Sequence, residues 1–394
     1  MRILHTSDWH LGRSFHREGM LGHQAAYVDH LLEVVESEHV DLVVVAGDIY
    51  DRALPQVDAV RLADETLVRL SRSRARVVLT TGNHDSAQRL GFSSRLIDAA
   101  GVHIRADVSS VGTPVLLDDE HGPVAVYGLP YLDPDAVREP WSLSGRSHEA
   151  ALTEAMVRVR RDLAGRPGTR SVVLAHAFVA GPGADVAPSD SERDISVGGV
   201  SIVPTSVFTG VDYTALGHLH GRHTLTETVR YSGSPLAYSF SETDHLKGSW
   251  LVDLGAAGVS TCAFVEAPVP RPLARLHGTI DELLDDPRLA QHEQSWVQAT
   301  LADAHRPAQA MERLRRRFPH TLVLGFDAVA PSIGTLPAAR SQGRSDHDIA
   351  TEFITAMRGE APSAAEGMLL RRAVDSCCED ADVDTLFTLA EVPA

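Results

Sequence analysis

Short apolar runs recur along the first two thirds of the chain, and each ends abruptly in polar residues: ILHTSD, DLVVVAGD, RVVLTTGNHD, VAVYGLP, SVVLAHAF and YTALGHLH. Runs of this length, rich in Val, Ile and Leu and bounded by turn formers, predict strands. Between the first two, Val28, Leu31, Leu32 and Val35 fall at i, i+3, i+4 and i+7, which places them on one helical face. A second helix is predicted through VDAVRLADETLVRL. Strand and helix patterns alternate to about residue 265, the arrangement of a layered α/β fold.

Beyond GSWLVDL the pattern changes. EAPVPRPLARL brings Pro268, Pro270 and Pro272 close together, which predicts a linker leading out of the core. A small α/β unit should follow, built from strand-like WVQATLAD, a helix in PAQAMERLRRRF with proline in its first turn, and strand-like TLVLGFDAV. Pro331–Arg344 is rich in small and turn residues and reads as a tether. Two helical patterns come next, DIATEFITAMRG and AAEGMLLRRAVDSCC, separated by Glu360, Ala361 and Pro362. So small a pair buries little by itself and should dock on something else. The expected division is therefore 1–265, 266–332 and 333–394.

Composition narrows the class without naming a function. At 394 residues the chain is long for one domain and comfortable for two, and 43% hydrophobic with 23% charged residues is ordinary for a globular protein. The start MRILHTSDWH lacks the basic, apolar and cleavage regions of a secretory signal, and no segment reaches about 18 uninterrupted apolar residues. A cytoplasmic protein without a membrane segment is expected. Cys262, Cys377 and Cys378 form neither a disulfide framework nor a metal-binding pair. The net charge of −17 is unlike a protein that holds nucleic acid by neutralising phosphates. For such a substrate, either bound metal ions or a partner must bring the positive charge.

The chemistry lies where the apolar runs stop. Asp8 and His10 follow the first run, Asp48 the second, and Asn83, His84 and Asp85 the third; His176 ends SVVLAHAF, and His218 and His220 end YTALGHLH. In open α/β sheets, ligands bind beyond the strand carboxyl ends, so these groups could converge. Asp-x-His and His-x-His place two ligands on one side of an extended chain, so each pair can grip one ion. Carboxylate, amide and imidazole without thiolate suit Mn²⁺, Fe²⁺ or Zn²⁺, with Mn²⁺ the first choice. Asp48, central among them, is the natural bridge between two metals roughly 3.5–4 Å apart. His84, next to Asp85, is a candidate proton donor whose pKa and orientation a neighbouring carboxylate would set. Taken singly, GNHD is a turn, GHLH a loop, and Asp48 a cap. Their ordered recurrence at successive strand ends argues for a dinuclear site.

The ordered blocks Asp8-Trp9-His10, Gly47-Asp48-Ile49-Tyr50-Asp51, Gly82-Asn83-His84-Asp85, His176 and Gly217-His218-Leu219-His220 resemble those of the calcineurin-type metallophosphoesterase superfamily. Within it, TSDWHLGR, SERDISVGG, YTALGHLH and YSGSPLAYSFSE are similar to the nuclease subunits of bacterial DNA-end-processing complexes. The resemblance implies a sandwich of two packed mixed β-sheets flanked by helices, a capping domain, and a helical segment docking on a coiled-coil ATPase subunit. It implies one metal held by Asp8, His10, Asp48 and His220 and a second by Asp48, Asn83, His176 and His218, with His84 as the transition-state histidine supported by Asp85. The activity implied is Mn²⁺-dependent cleavage of DNA, exonucleolytic on duplex ends and endonucleolytic on single strands or hairpins. The assembly implied holds two copies of each subunit. Asp51 stands where archaeal relatives carry histidine, which touches the detail of phosphate contact.

Two other classes compete. A phosphomonoesterase or protein phosphatase would use the same site, but Ala53 follows Asp51-Arg52 where the phosphatase motif has glycine, and GNHD replaces GNHE. An inactive scaffold for an ATPase should have lost ligands, and all are present. Arg13, His16 and Arg17 could meet substrate; Arg313, Arg315, Arg316 and Arg317 read either as phosphate contacts or as a solvated helix face. The stretch between Val186 and Val203 receives no role from its residues alone.

Overall fold

The computed structural model describes residues 1–181, 188–196, 202–327, 345–358 and 360–379. All six apolar runs form strands, at Arg2–Thr6, Leu42–Ala46, Arg76–Thr80, Gly122–Gly128, Arg170–His176 and Tyr213–Gly217. They are divided between two six-stranded sheets. In the first, Arg2–Thr6, Leu42–Ala46, Arg76–Thr80 and Val102–Arg105 run parallel, and the hairpin Gly248–Gly255 and Gly258–Glu266 adds antiparallel strands beside Arg2–Thr6. In the second, Gly122–Gly128, Arg170–His176, Tyr213–Gly217 and Val229–Tyr231 run parallel, with antiparallel strands Val115–Asp119 and His223–Thr224 at the edges.

Alternation along each strand explains the layering, because successive side chains point to opposite faces. Leu42 and Val44 join Val172, Leu174 and Ala215 in the core between the sheets. Val43 and Val45 point the other way, onto Tyr27, Leu31, Val35, Ala63 and Leu70 of helices Leu21–Ser37 and Val57–Ser71. Val173 and Ala175 of the second sheet pack on Leu152, Ala155 and Met156 of helix His148–Ala164. Strands apolar on both faces are what a sheet covered on both sides requires. The expected sandwich of mixed sheets flanked by helices is the fold observed. The strands at Val102–Arg105 and Val115–Asp119 and the helix His148–Ala164 had no counterpart among the predicted elements. Both strands alternate buried with partly or fully exposed residues, a weaker signal than a continuous apolar run.

Past the proline-rich segment, Leu273–Gly278, Trp296–Leu301 and Thr321–Phe326 form a parallel three-stranded sheet. Helices Ile280–Asp285 and Ala310–Arg317 cover it around a core of Leu276, Leu283, Val297, Leu301, Leu314 and Phe318. The second helix begins later than predicted. Pro307 lies outside it, and Gln309, at φ 53°, turns the chain before Ala310. Trp296 enters a cluster with Phe15, Met20, Leu236, Tyr238 and Phe240, and Leu273, Leu322 and Val323 of the small sheet pack against it, which attaches the small sheet to the sandwich. Helices Asp346–Arg358 and Ala364–Glu379 pack on each other, leaving Phe353, Met368 and Leu369 exposed. The predicted tether Pro331–Arg344 and the side chains of Cys377 and Cys378 lie outside the described residues. Among the described residues no helix is long and apolar enough to cross a membrane.

Candidate metal centre

The carboxyl ends of the parallel strands of both sheets meet at one edge of the sandwich. Within one to four residues of those ends the backbone turns sharply: Asp8, His10 and Asp48 have φ of 54°, 46° and 51°, and His218 reaches 108°. Left-handed backbone at non-glycine residues is costly and is characteristic of functional sites. Close approach at this edge, between the sheets at Gly217 and between neighbouring loops of one sheet at Gly82, also depends on glycine. A methyl group at Gly217 would overlap the carbonyl oxygen of Ala46, and one at Gly82 would overlap the Asp48 carboxylate.

All seven candidate ligands are drawn into this edge, and the histidines and both aspartates are buried. Three sets of ligand atoms lie within 4.8 Å of one another: Asp8, His10 and His220; His10, Asp48 and His84; Asp8, Asp48 and His176. Asp48 is central. Its Oδ2 is 3.5 Å from both His10 Nε2 and His176 Nε2, while its Oδ1 accepts the His84 backbone N–H at 2.9 Å. Asn83 Oδ1 lies 2.9 Å from His176 Nε2. His218 joins none of the three sets; its ring is edge-on to that of His176 at 5.4 Å, and its N–H donates to the Asp8 carboxylate at 3.0 Å.

These groups turn ring nitrogens and carboxylate oxygens toward one another. His176 Nδ1 donates to the Ala46 carbonyl at 3.0 Å, which leaves Nε2 bare toward Asp48 and Asn83. His10 Nε2 and His220 Nε2 face each other at 3.0 Å, and His10 Nδ1 and Asn83 Nδ2 are buried without a hydrogen-bond partner among the described residues. Burial pushes the imidazoles down, His176 and His220 to about 4, the latter against the pull of Glu242. The same burial, with the charge of Asp48 added, pushes the Asp8 carboxyl well up. Neutral imidazoles and crowded carboxylates in a dry pocket are a poor proton site and a good one for divalent cations, so the residues present fit such ions.

The expectation for Asp85 is not met. Its carboxylate accepts from the backbone N–H groups of Ile49, Tyr50 and Gly82 at 2.9–3.0 Å, clamping two ligand-bearing loops together. The His84 ring is held instead by the Asp51 carbonyl, 2.7 Å from Nδ1. Backbone amides following a tight turn outcompete a ring that the turn directs elsewhere. Arg13 sits at the rim, its guanidinium donating to the Ser191 carbonyl at 2.6 Å and standing 3.5 Å from Asp51, whereas His16 and Arg17 are exposed. Of the four cap arginines, Arg313 pairs with Asp281, Arg315 donates to the Thr321 carbonyl and Arg317 pairs with Glu293; Arg316 makes no such bond to the described residues. That pattern fits a solvated helix face better than a phosphate-binding run.

Sequence reasoning missed a support around His220, made of buried Ser191, Glu242 and Lys247 and half-buried Glu192. The signal was present, since SERDISVGG and YSGSPLAYSFSE contain Ser191, Glu192 and Glu242. Neither phrase has a periodicity that reveals what its carboxylates touch.

A sequence model of the calcineurin-like phosphoesterase family matches residues 1–222, more than half of the chain, and the chain belongs to that family of phosphoester hydrolases. A second model, SbcD_C, described as the type 5 capsule protein repressor C-terminal domain, matches residues 269–358. The particular likeness is to SbcD: the chain is 28% identical over 327 residues to the D subunit of the nuclease SbcCD from Staphylococcus saprophyticus, covering 82% of this chain and 84% of that protein. Among solved structures, TT1561 of Thermus thermophilus aligns at 13% identity over 67% of this chain and 98% of its own, with a TM-score of 0.40. GAP50, the anchor in the inner membrane complex of Plasmodium, aligns at 12% identity over 68% and 84%, with a TM-score of 0.41.

Proposed function

We propose that this chain is the nuclease subunit of an SbcCD-type complex, a Mn²⁺-dependent phosphodiesterase acting exonucleolytically on duplex ends and endonucleolytically on single strands or hairpins. The observation that carries it is the convergence of bare imidazole nitrogens and carboxylate oxygens on Asp48, in a chain similar to an SbcCD nuclease subunit through most of its length. Asp8, His10, Asp48 and His220 would hold one ion, and Asp48, Asn83, His176 and His218 the second. What two such ions supply is an acidified water and positive charge against the scissile phosphate. His84, with Nδ1 committed to the Asp51 carbonyl, keeps Nε2 to hold or deliver a proton at the leaving sugar oxygen. Asp85 keeps the two loops in register rather than acting on substrate.

The acidic chain fits a nuclease if a partner brings the DNA-binding surface. We assign that role to an SbcC-type ATPase with a coiled coil, docked on the exposed Phe353, Met368 and Leu369 of the last two helices. The division into 1–265, 266–332 and 333–394 then reads as nuclease, cap and docking segment, working as a homodimer within a cytoplasmic heterotetramer. The test is cleavage of end-labelled hairpin and linear duplex DNA in Mn²⁺, with and without the ATPase partner, with His84→Gln as control. Cleavage that needs Mn²⁺ and falls by about 10²–10⁴-fold in the variant is expected. Intact DNA alongside hydrolysis of a phosphomonoester would make the chain a phosphatase of the same family.

A further inference from the structure

Residues 188–196 of the Val186–Val203 stretch fold over the back of His220. Ser191 Oγ lies 2.6 Å from His220 Nδ1 and 2.5 Å from Glu242 Oε1, and Glu242 Oε1 is itself 3.4 Å from Nδ1. Lys247 Nζ donates to Glu242 Oε2 at 2.5 Å, to the His220 carbonyl at 2.9 Å and to Ser234 Oγ at 3.0 Å. Glu192 Oε1 accepts the His220 N–H at 2.5 Å. The backbone N–H, the carbonyl and one ring nitrogen of a single histidine are thus each engaged. Glu242 and Lys247 are 1% and 7% exposed. A buried ion pair is a weak source of stability, since desolvating two charges offsets most of their attraction. Its geometric consequence is definite.

Counting donors settles the tautomer. Glu242, ionised beside Lys247, only accepts. Ser191 has one hydroxyl proton, which goes to the Glu242 carboxylate at 2.5 Å rather than to Ser189 Oγ at 2.9 Å, so its oxygen is left to accept from His220. Nδ1 must therefore carry the proton, and Nε2 is bare on the side facing His10 Nε2 at 3.0 Å. We propose that Glu242, acting through Ser191, is a positioning residue that holds His220 in the Nδ1–H form with Nε2 directed at the ion shared with Asp8 and His10. The inference rests on the metal-centre reading above. It also gives Ser191, the first residue of the SERDISVGG phrase, a role, that of closing a hydrogen-bond relay from the Lys247–Glu242 pair to His220.

The test uses the full chain as wild type, Glu242→Gln, Ser191→Ala and the charge-balanced double variant E242Q/K247M, which leaves no unpaired buried charge. Mn²⁺ binding is followed by calorimetry, and the His220 tautomer by ¹⁵N-edited histidine spectra of metal-free protein, with the signal assigned by its loss in His220→Gln. Loss of an outer hydrogen-bond partner weakens metal binding by about 10–100-fold. That drop is expected for one Mn²⁺ equivalent in E242Q and E242Q/K247M, with the second equivalent retained and the His220 signal shifted toward the Nε2–H form. Ser191→Ala should show a smaller drop, because Glu242 Oε1 can take the Nδ1–H directly. A purely structural Glu242 would lower the melting temperature yet leave tautomer and both affinities at wild-type values, which overturns the proposal. Wild-type protein that takes up no Mn²⁺ overturns the metal centre itself, and the inference with it.

Discussion

Replacing Trp296 with alanine tests how far the small sheet is seated on the sandwich through this buried aromatic side chain, beside which Leu273, Leu322 and Val323 pack. The indole is 6% exposed, 5.1 Å from the Phe15 ring and in one cluster with Phe240, Leu236 and Tyr238. Tyr238 in turn donates to the Trp9 carbonyl at 2.7 Å and lies 5.6 Å from the His10 ring, so the seat backs directly onto a candidate ligand. A buried tryptophan covers about 150–250 Å². At about 25 cal/mol per Å² that is ~4–6 kcal/mol, of which alanine retains ~1. The expected loss of about 3–5 kcal/mol agrees with measured Trp→Ala costs in cores. With an unfolding entropy of about 2.1 cal/mol/K per residue, a cooperative chain of 394 residues should melt ~4–6 °C lower. Calorimetry reads that shift, and limited proteolysis around Pro268–Pro272 reads release of the small sheet. A melting temperature within ~1 °C of wild type together with unchanged proteolysis would refute the attachment argued here.

Gly217→Ala places a methyl group on the Ala46 carbonyl between the two sheets; overpacking should cost about 1–3 kcal/mol or more, and Mn²⁺ uptake, read by calorimetry, should fall because His218 and His220 follow directly. Mn²⁺ at about 100 times its dissociation constant should raise stability by about 2.7 kcal/mol, reversibly with chelator, and Asp48→Asn should abolish most of that gain in a thermal-shift titration. Burial pushes the His5 imidazole down to about 3, against the Leu216 carbonyl that favours its proton. Between about pH 6.5 and 3 the unfolded chain therefore holds one more proton at this position. Stability is full above about 6.5 and falls on acidification by about 1.4 kcal/mol per pH unit. His5→Gln should lessen that slope by about one proton in urea titrations of chelator-treated protein. At Asp119 burial disfavours the charge, but the Arg170 guanidinium and the N-terminal amine override it and hold the carboxyl below its usual range. Asp119→Asn should accordingly cost stability at pH 7 and cost less as pH falls below about 4.

The candidate ligands and their order were legible in the chain alone because both are local. Apolar runs form strands wherever they fall, strands covered on both faces are apolar throughout, and a polar residue just past such a strand is carried to the sheet edge. Asp8, His10, Asp48, Asn83, His84, His176, His218 and His220 could be chosen on that ground, and the five strands that carry them form as read. What each ligand leans on was decided by the tertiary structure. Asp8 meets the His218 backbone across 210 residues of chain, Ser191 and Glu242 reach His220 from 29 residues before it and 22 after, and Trp296 comes from a separate sheet to rest on Phe15. Hydrogen-bond partners at such separations leave no periodic trace, since their approach depends on how two sheets and a cap pack rather than on the spacing of residues within any one element. For the same reason Asp85, adjacent to His84 in the chain, turns its carboxylate to the amides of Ile49, Tyr50 and Gly82 and leaves the His84 ring to the Asp51 carbonyl.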